Sequence, residues 1–176
     1  MTVSSIQIAT TDDIPELVSL VNSAYRGEEA RKGWTHEADL IDGEMRTDAN
    51  DLRTLMQKPG AVFLKCINGG QLQGTVYLEE KASSLYLGML SVWPRLQGTG
   101  TGKKLLGAAE AFAQEKNCDR IHLTVISTRK ELIQWYEKHG YHSTGATLPF
   151  PDDGRFGKPR MPLRFAVMEK KIGAII

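Results

Sequence analysis

Between Arg95 and Lys103 the chain reads Arg-Leu-Gln-Gly-Thr-Gly-Thr-Gly-Lys, with glycines at 98, 100 and 102, hydroxyls at 99 and 101 and a cation at 103. This is a composition for holding an anion. Upstream, Leu85 to Val92 reads as a buried strand. Downstream, Lys104 to Lys116 has helical periodicity, so the glycines fall in a strand-to-helix turn. The first turn of a helix leaves backbone N–H groups without partners at the positive end of its dipole. Removing every second Cβ lets a phosphate approach that backbone closely.

Spacing separates the phosphate motifs that compete for this turn. A Walker loop needs four residues between its glycines and a hydroxyl after its lysine; Gly98 to Gly102 is one residue short and Lys104 stands at the hydroxyl position. A dinucleotide fingerprint needs a third glycine where Lys103 stands. Gln97-x-x-Gly100-x-Gly102 does fit a known pattern: it resembles the pyrophosphate loop, Gln/Arg-x-x-Gly-x-Gly/Ala, of the GCN5-related N-acetyltransferase (GNAT) superfamily. Trp135-Tyr136-Glu137-Lys138-His139-Gly140-Tyr141 is similar to that superfamily's Leu-Tyr-Glu-Lys-x-Gly-Phe segment. The resemblance runs from residue 5 to residue 171.

The resemblance implies acetyl-coenzyme A as co-substrate. Its pyrophosphate would be held by Gln97, Gly98, Thr99, Gly100, Thr101, Gly102 and Lys103, and its pantetheine arm would pair with the backbone of Leu90 and Val92. Tyr136 stands at the position of the superfamily's general acid, where a phenol with a pKa of about 10 protonates a leaving thiolate. In the pattern's other positions this chain departs from it. Ser127-Thr128-Arg129 replaces an asparagine that contacts the coenzyme, and Leu85 to Val92 carries no glutamate to act as base. An alkylamine near neutral pH lies about three units below its pKa, a cost of roughly 4 kcal/mol that a base or an acidic acceptor must offset. Candidate bases are Glu28, Glu29, His36, Glu37, Glu79, Glu80 and His122. Trp34 and Glu29, in the charged Arg26 to Trp34 loop, are the candidate acceptor contacts, and Arg155, Lys158 and Arg160 are cations available to an acidic acceptor.

The elements that must position these residues follow in order. Ser5 to Thr10 alternates as a first strand; Thr11 caps a helix ending near Tyr25, with Ile14, Leu17, Val18, Val21 and Ala24 on one face. Short helices are expected at His36 to Ile41 and Asn50 to Gln57. Ala61 to Ile67, Asn68-Gly69-Gly70 and Gln71 to Glu80 spell a hairpin. In Ser84 to Val92 the alternation puts Leu85, Leu87 and Met89 opposite Tyr86, Leu90 and Val92, and Gly88 signals a bulge or close backbone approach. A helix with Leu105, Leu106, Ala109, Phe112 and Ala113 inward, a strand at Arg120 to Ile126, a helix at Thr128 to His139, and strands at Tyr141 to Thr147 and Leu163 to Lys170 complete the chain. A polar loop, Pro149 to Pro162, divides the last two strands. The expected fold is mixed α/β: a GNAT-like central, mostly antiparallel, splayed sheet of about seven strands with helices on both faces.

Composition narrows the classes. The 176 residues suit one N-acetyltransferase domain over 1–176. With 22 basic and 21 acidic residues, no overall field favours nucleic acid or anionic lipid. Cys66 and Cys118 have no metal-ligand spacing, and no metal is expected. No leader-like start or spanning apolar run is seen, which gives a cytoplasmic expectation without a membrane partner. The resulting reading is direct acetyl transfer from acetyl-coenzyme A to a primary amine, with a small-molecule acceptor and a homodimer as the assembly. The alternatives are a non-catalytic acyl-coenzyme A sensor and an acetyltransferase for protein lysines or N-termini.

Overall fold

A computed structural model describes residues 4–151 and 153–173. In chain order, β1 (Ser4–Ile8) is followed by α1 (Ile14–Tyr25), the short α2 (Gly27–Ala30), β2 (Ile41–Asp42) and α3 (Ala49–Met56). Then come β3 (Ala61–Asn68), β4 (Gln71–Lys81), β5 (Ser84–Val92), α4 (Thr101–Glu115), β6 (Arg120–Ile126), α5 (Lys130–Lys138), β7 (His142–Pro149), β8 (Lys158–Pro159) and β9 (Arg164–Lys171). Seven strands form one sheet in the order β1-β3-β4-β5-β6-β9-β7, antiparallel except between β5 and β6. This is the mixed α/β architecture the sequence led us to expect.

Both faces of the sheet are covered, because its central strands are apolar on both sides. On one face Leu17 and Leu20 of α1 and Leu52 of α3 pack with Phe63 and Tyr77. On the other, Leu105, Leu106 and Ala109 of α4 and Tyr136 of α5 pack with Leu64, Val76, Leu78, Leu87 and Leu123. Phe63 and Leu64, neighbours in β3, thus serve opposite cores, as strand geometry requires. Burying each such leucine contributes about 1.5–3 kcal/mol.

Two irregularities in the middle of the sheet create the site. Along β4 and β5 the register passes from Tyr77↔Gly88 to Thr75↔Ser91, so Met89 and Leu90 together face the single residue Val76. This bulge reverses the side-chain alternation. Met89 therefore joins the α1 face and Leu90 the α4 face, correcting the grouping of Met89 with Leu85 and Leu87. The left-handed residue of the bulge is Met89 itself, with φ of 50°. Gly88 serves close approach instead: a Cβ there would meet the Tyr86 hydroxyl at 2.9 Å. The second irregularity lies between β5 and β6, which pair only over Ser84–Tyr86 and Arg120–His122. Beyond Tyr86 the strands part.

Local expectations fail where long-range pairing decides. No helix forms at His36 to Ile41; Leu40 and Ile41 N–H groups both donate to the Glu37 carbonyl in a turn, and Ile41–Asp42 pairs with Lys158–Pro159. A single helical turn, α2, lies instead in the charged loop. The first cap is at Thr10 rather than Thr11, with the Asp13 carboxylate accepting from the Thr10 N–H at 2.8 Å. Among the described residues no helix is long and apolar enough to cross a membrane.

Candidate active site

The glycine turn is built as the spacing implied. Gly98 and Gly100 have φ of 85° and 94°, values that a side chain would strain, and a Cβ on either would meet nothing within 4 Å. Gly100 is the left-handed cap of α4, and the first helical bond runs from the Lys104 N–H to the Gly100 carbonyl. The N–H groups of Thr101, Gly102 and Lys103 accordingly donate to no backbone group among the described residues. Open space, N–H donors without backbone acceptors and a dipole of the right sign converge on one place, an arrangement that could hold an anion. Thr99 is committed elsewhere, its hydroxyl donating to the Leu96 carbonyl at 2.5 Å.

Gln97 plays a structural part in the same turn. Its Oε1 accepts from the N–H groups of Trp34 (2.8 Å) and Thr35 (3.3 Å), while its Nε2 donates to Thr35 Oγ1 (2.8 Å) and the Val92 carbonyl (3.1 Å). One amide thus ties the loop after α2 to the splayed edge of β5.

That edge presents Leu90 and Val92. Trp93 N–H donates to Gln73 in the direction of β4, so the alternate groups of Val92 point into the gap. Both outward carbonyls already accept one side-chain donor: Val92 from Gln97, and Leu90 from the Tyr25 hydroxyl at 2.6 Å. Each retains a second lone pair.

Two cavities meet at the splay. One, of about 430 Å³, is lined by Trp34, Val92, Gln97, the glycine turn, Lys103 and Trp135. The other, of about 410 Å³, lies on the far side of the gap under the loops before β2 and after β7. Tyr25, Leu90, Leu132 and Tyr136 line both and form the neck between them.

Tyr136 reaches the neck because α5 packs against the sheet through it. The residue is 5% exposed, with the rings of Trp135 and Tyr141 edge-on at 5.1 and 5.5 Å. The residue lines both cavities, and its hydroxyl makes no hydrogen bond among the described residues. Burial, helped by the neighbouring phenols, pushes its pKa well above the ordinary tyrosine value. Tyr25, half-buried and near the Glu37 carboxylate, is pushed up to about 12, chiefly by loss of solvent around its hydroxyl. Both phenols stay protonated across the neutral range and can donate but not accept a proton.

The candidate bases scatter. Only Glu37 lines a cavity, and it is held by Arg26 Nε at 3.1 Å and Arg129 Nη1 at 3.8 Å. Glu79 accepts from the Tyr77 hydroxyl, His36 accepts from the Ala38 N–H, and His122 packs against the Tyr86 ring. Glu28 and Glu29 are exposed on α2, Glu28 paired with Arg31 and Glu29 with Lys32. Trp34 lies in the cavity of the glycine turn, 6.3 Å from the Trp135 ring, and Glu29 lines neither cavity. Arg155 lines the second cavity, whereas Arg160 pairs with Asp42.

Sequence reasoning missed Tyr25, Arg26, Arg46 and Arg129 as site residues. Tyr25 and Arg26 end a helix whose stripe reads as ordinary core, and Arg46 sits in a loop without periodicity. Arg26 opens the charged loop and Arg129 lay in the stretch that departs from the asparagine pattern, but neither was given a role there.

Comparison with known proteins agrees with this geometry. A family model described as an acetyltransferase (GNAT) domain matches residues 37–154, and the chain belongs to that family. Acetyl-coenzyme A is the co-substrate of the family. Among curated proteins it is similar to the thialysine N-epsilon-acetyltransferases of Bos taurus, 27% identical over 86 residues (49% of this chain, 51% of the relative), and Sus scrofa, 26% identical over 98 residues (51% and 58%). The chain spans about half the length of these relatives. Among solved structures, the ribosomal-protein-S18-alanine N-acetyltransferase of Escherichia coli superposes with a TM-score of 0.71 at 14% identity, covering 99% of this chain and 96% of that one. YncA of Salmonella typhimurium, a putative acetyltransferase solved with acetyl-coenzyme A, gives 0.70 at 17% identity over 99% and 96%. At these identities the likeness is one of fold.

Proposed function

We propose that the chain transfers the acetyl group of acetyl-coenzyme A directly to the primary amine of a small-molecule acceptor. The observation that carries this reading is the neck: a cavity with a phosphate-binding turn and a second, separately lined cavity open onto the same buried tyrosine. The coenzyme occupies the first, its pyrophosphate on the N–H groups of Gly98 to Lys103 and its pantetheine along Leu90 and Val92. The acceptor occupies the second. Bringing both to one neck converts a bimolecular encounter into a local one.

In the reaction the amine nitrogen bonds to the thioester carbon and the carbon–sulfur bond breaks. Tyr136 gives its proton to the departing sulfur, and the nitrogen loses one to water in the acceptor cavity, from which the phenolate recovers its own. No acyl-cysteine step is invoked: Cys66 and Cys118 are buried, line neither cavity, and have thiols whose pKa burial pushes up.

A small acceptor is favoured over a polypeptide by the way the two long loops are joined. Ile41–Asp42 pairs with Lys158–Pro159, Arg160 Nε meets Asp42 Oδ1 at 2.6 Å, and Arg26 donates to the Phe156 carbonyl, so the second cavity is roofed. The relatives named for thialysine support the same reading. The test is acceptor-dependent thiol release from acetyl-coenzyme A across polyamines, amino acids, aminoglycosides, arylamines and short peptides, with calorimetric titration of the coenzyme. Release with a small amine is expected. Release with peptides alone sinks the small-acceptor reading, and coenzyme binding without release by any member favours the sensor.

A further inference from the structure

The acceptor cavity carries more cationic chemistry than its own carboxylates use. The Arg26 guanidinium is held by three partners, with Nε donating to Glu37 Oε1 and Nη1 to the Met45 and Phe156 carbonyls. Asp51 accepts from the Thr47 hydroxyl at 2.7 Å. Arg129 is different. Its side chain is 9% exposed and lines the cavity, yet it makes no side-chain hydrogen bond among the described residues. Its one ionic contact is the 3.8 Å approach to Glu37, a carboxylate that Arg26 already holds more closely. Arg46 also lines the cavity without a salt bridge among the described residues, its guanidinium 5.9 Å from the centre of the Tyr25 ring. A guanidinium so deeply buried is costly unless an anion completes its shell.

We infer that Arg129, with Arg46, receives a carboxylate of the acceptor, and that the acceptor is an aminocarboxylic acid whose amine reaches the neck. The fork of a guanidinium matches a carboxylate through two parallel hydrogen bonds. Geometry gives the pairing its direction. Arg129 caps the N-terminus of α5, seven residues before Tyr136, and both line the same cavity with Arg46 beside the Tyr25 ring, so one molecule can set its carboxylate on the guanidinium and its amine toward the shared tyrosine. The inference rests on the acetyltransferase reading and narrows it, because diamines and aminoglycosides lack the carboxylate that would give the Arg129 guanidinium the hydrogen bonds it does not make among the described residues.

The experiment compares matched pairs that differ only by the carboxylate: lysine with 1,5-diaminopentane, methionine with 3-(methylthio)propylamine, and phenylalanine with 2-phenylethylamine. Thiol release from acetyl-coenzyme A is the readout, and coenzyme titration is run in parallel. In at least one pair the carboxylated member is expected to have kcat/KM ten- to a hundred-fold higher than its partner, as one charged hydrogen-bonding contact gives. Arg129→Met is expected to collapse that ratio toward one, mainly through KM, and Arg129→Lys to restore part of it; Arg46→Met tests the second cation in a less buried place. A residue that merely supports the fold would change both members of a pair alike. Equal or reversed preference, or coenzyme binding with no turnover of any carboxylated member, overturns the inference and leaves the coenzyme site standing. Failure to bind the coenzyme at all overturns the acetyltransferase reading beneath it.

Discussion

Replacing Tyr136 by phenylalanine separates chemistry from binding at the neck. The ring stays packed against Trp135 and Tyr141, so the apolar contacts survive. The hydroxyl has no partner to lose among the described residues, and stability should change by less than about 0.5 kcal/mol. The proposed phosphate site lies elsewhere in the coenzyme cavity, at Gly98 to Lys103, so affinity should hold within a few-fold. What disappears is the proton donor to sulfur, which typically contributes about 10²–10⁴-fold, or roughly 3–5 kcal/mol of barrier. Because burial raises the phenol's pKa well above its ordinary value, the donor is intact throughout the neutral and mildly alkaline range. Wild-type kcat should therefore show no alkaline fall from this group below about pH 10. The assay is kcat from thiol release at saturating amine, alongside calorimetry with acetyl-coenzyme A and a thermal melt. A kcat loss under threefold, or a loss matched by equal damage to coenzyme affinity, refutes Tyr136 as the acid.

Three other outcomes are expected. Glu37→Gln removes the carboxylate between Arg26 and Arg129 and leaves buried cations, which should cost about 3–5 kcal/mol in urea unfolding; a cost under about 1 kcal/mol would show that the group is not coupled as described. The half-buried phenol of Tyr25 and the buried ones of Tyr77, Tyr136 and Tyr141 all have raised pKa values, so the folded state keeps protons that the unfolded chain releases near pH 10. Their stabilisation is complete below that pH and is lost above it, by up to about 1.4 kcal/mol per pH unit for each tyrosine; unfolding free energies that stay flat from pH 9 to 11 would contradict this. Gln97→Ala frees the Trp34–Thr35 segment from β5 and should weaken coenzyme binding about tenfold, with a change in tryptophan fluorescence; unchanged affinity would reduce Gln97 to a loop contact.

How much of this was legible in the sequence depended on whether the cause was local. The glycine turn could be read because phosphate chemistry demands particular residues at fixed spacing, and Gly98 and Gly100 take the positive φ that only glycine adopts freely. The sheet and its two covered faces followed from double-sided apolar strands. Met89 at positive φ was invisible, since the bulge is settled by which partner in β4 each residue of β5 faces. The pairing of Ile41–Asp42 with Lys158–Pro159 joins segments more than a hundred residues apart, and a local helical pattern around His36 gave way to it. Arg26, Glu37 and Arg129 come from three separate elements and carry no shared spacing, so their meeting is a property of the fold alone.

The central claim is that the turn from Gln97 to Lys103 holds the coenzyme's pyrophosphate, and one titration addresses it. Acetyl-coenzyme A is titrated calorimetrically into the wild-type protein and into Gly100→Glu and Gly102→Glu, with melts confirming that each variant is folded. A carboxylate placed among the N–H groups of the α4 N-terminus competes with phosphate for the same donors and repels it. Wild-type binding with loss of at least a hundred-fold in folded variants is the expected result; affinity retained within threefold in both would contradict the account.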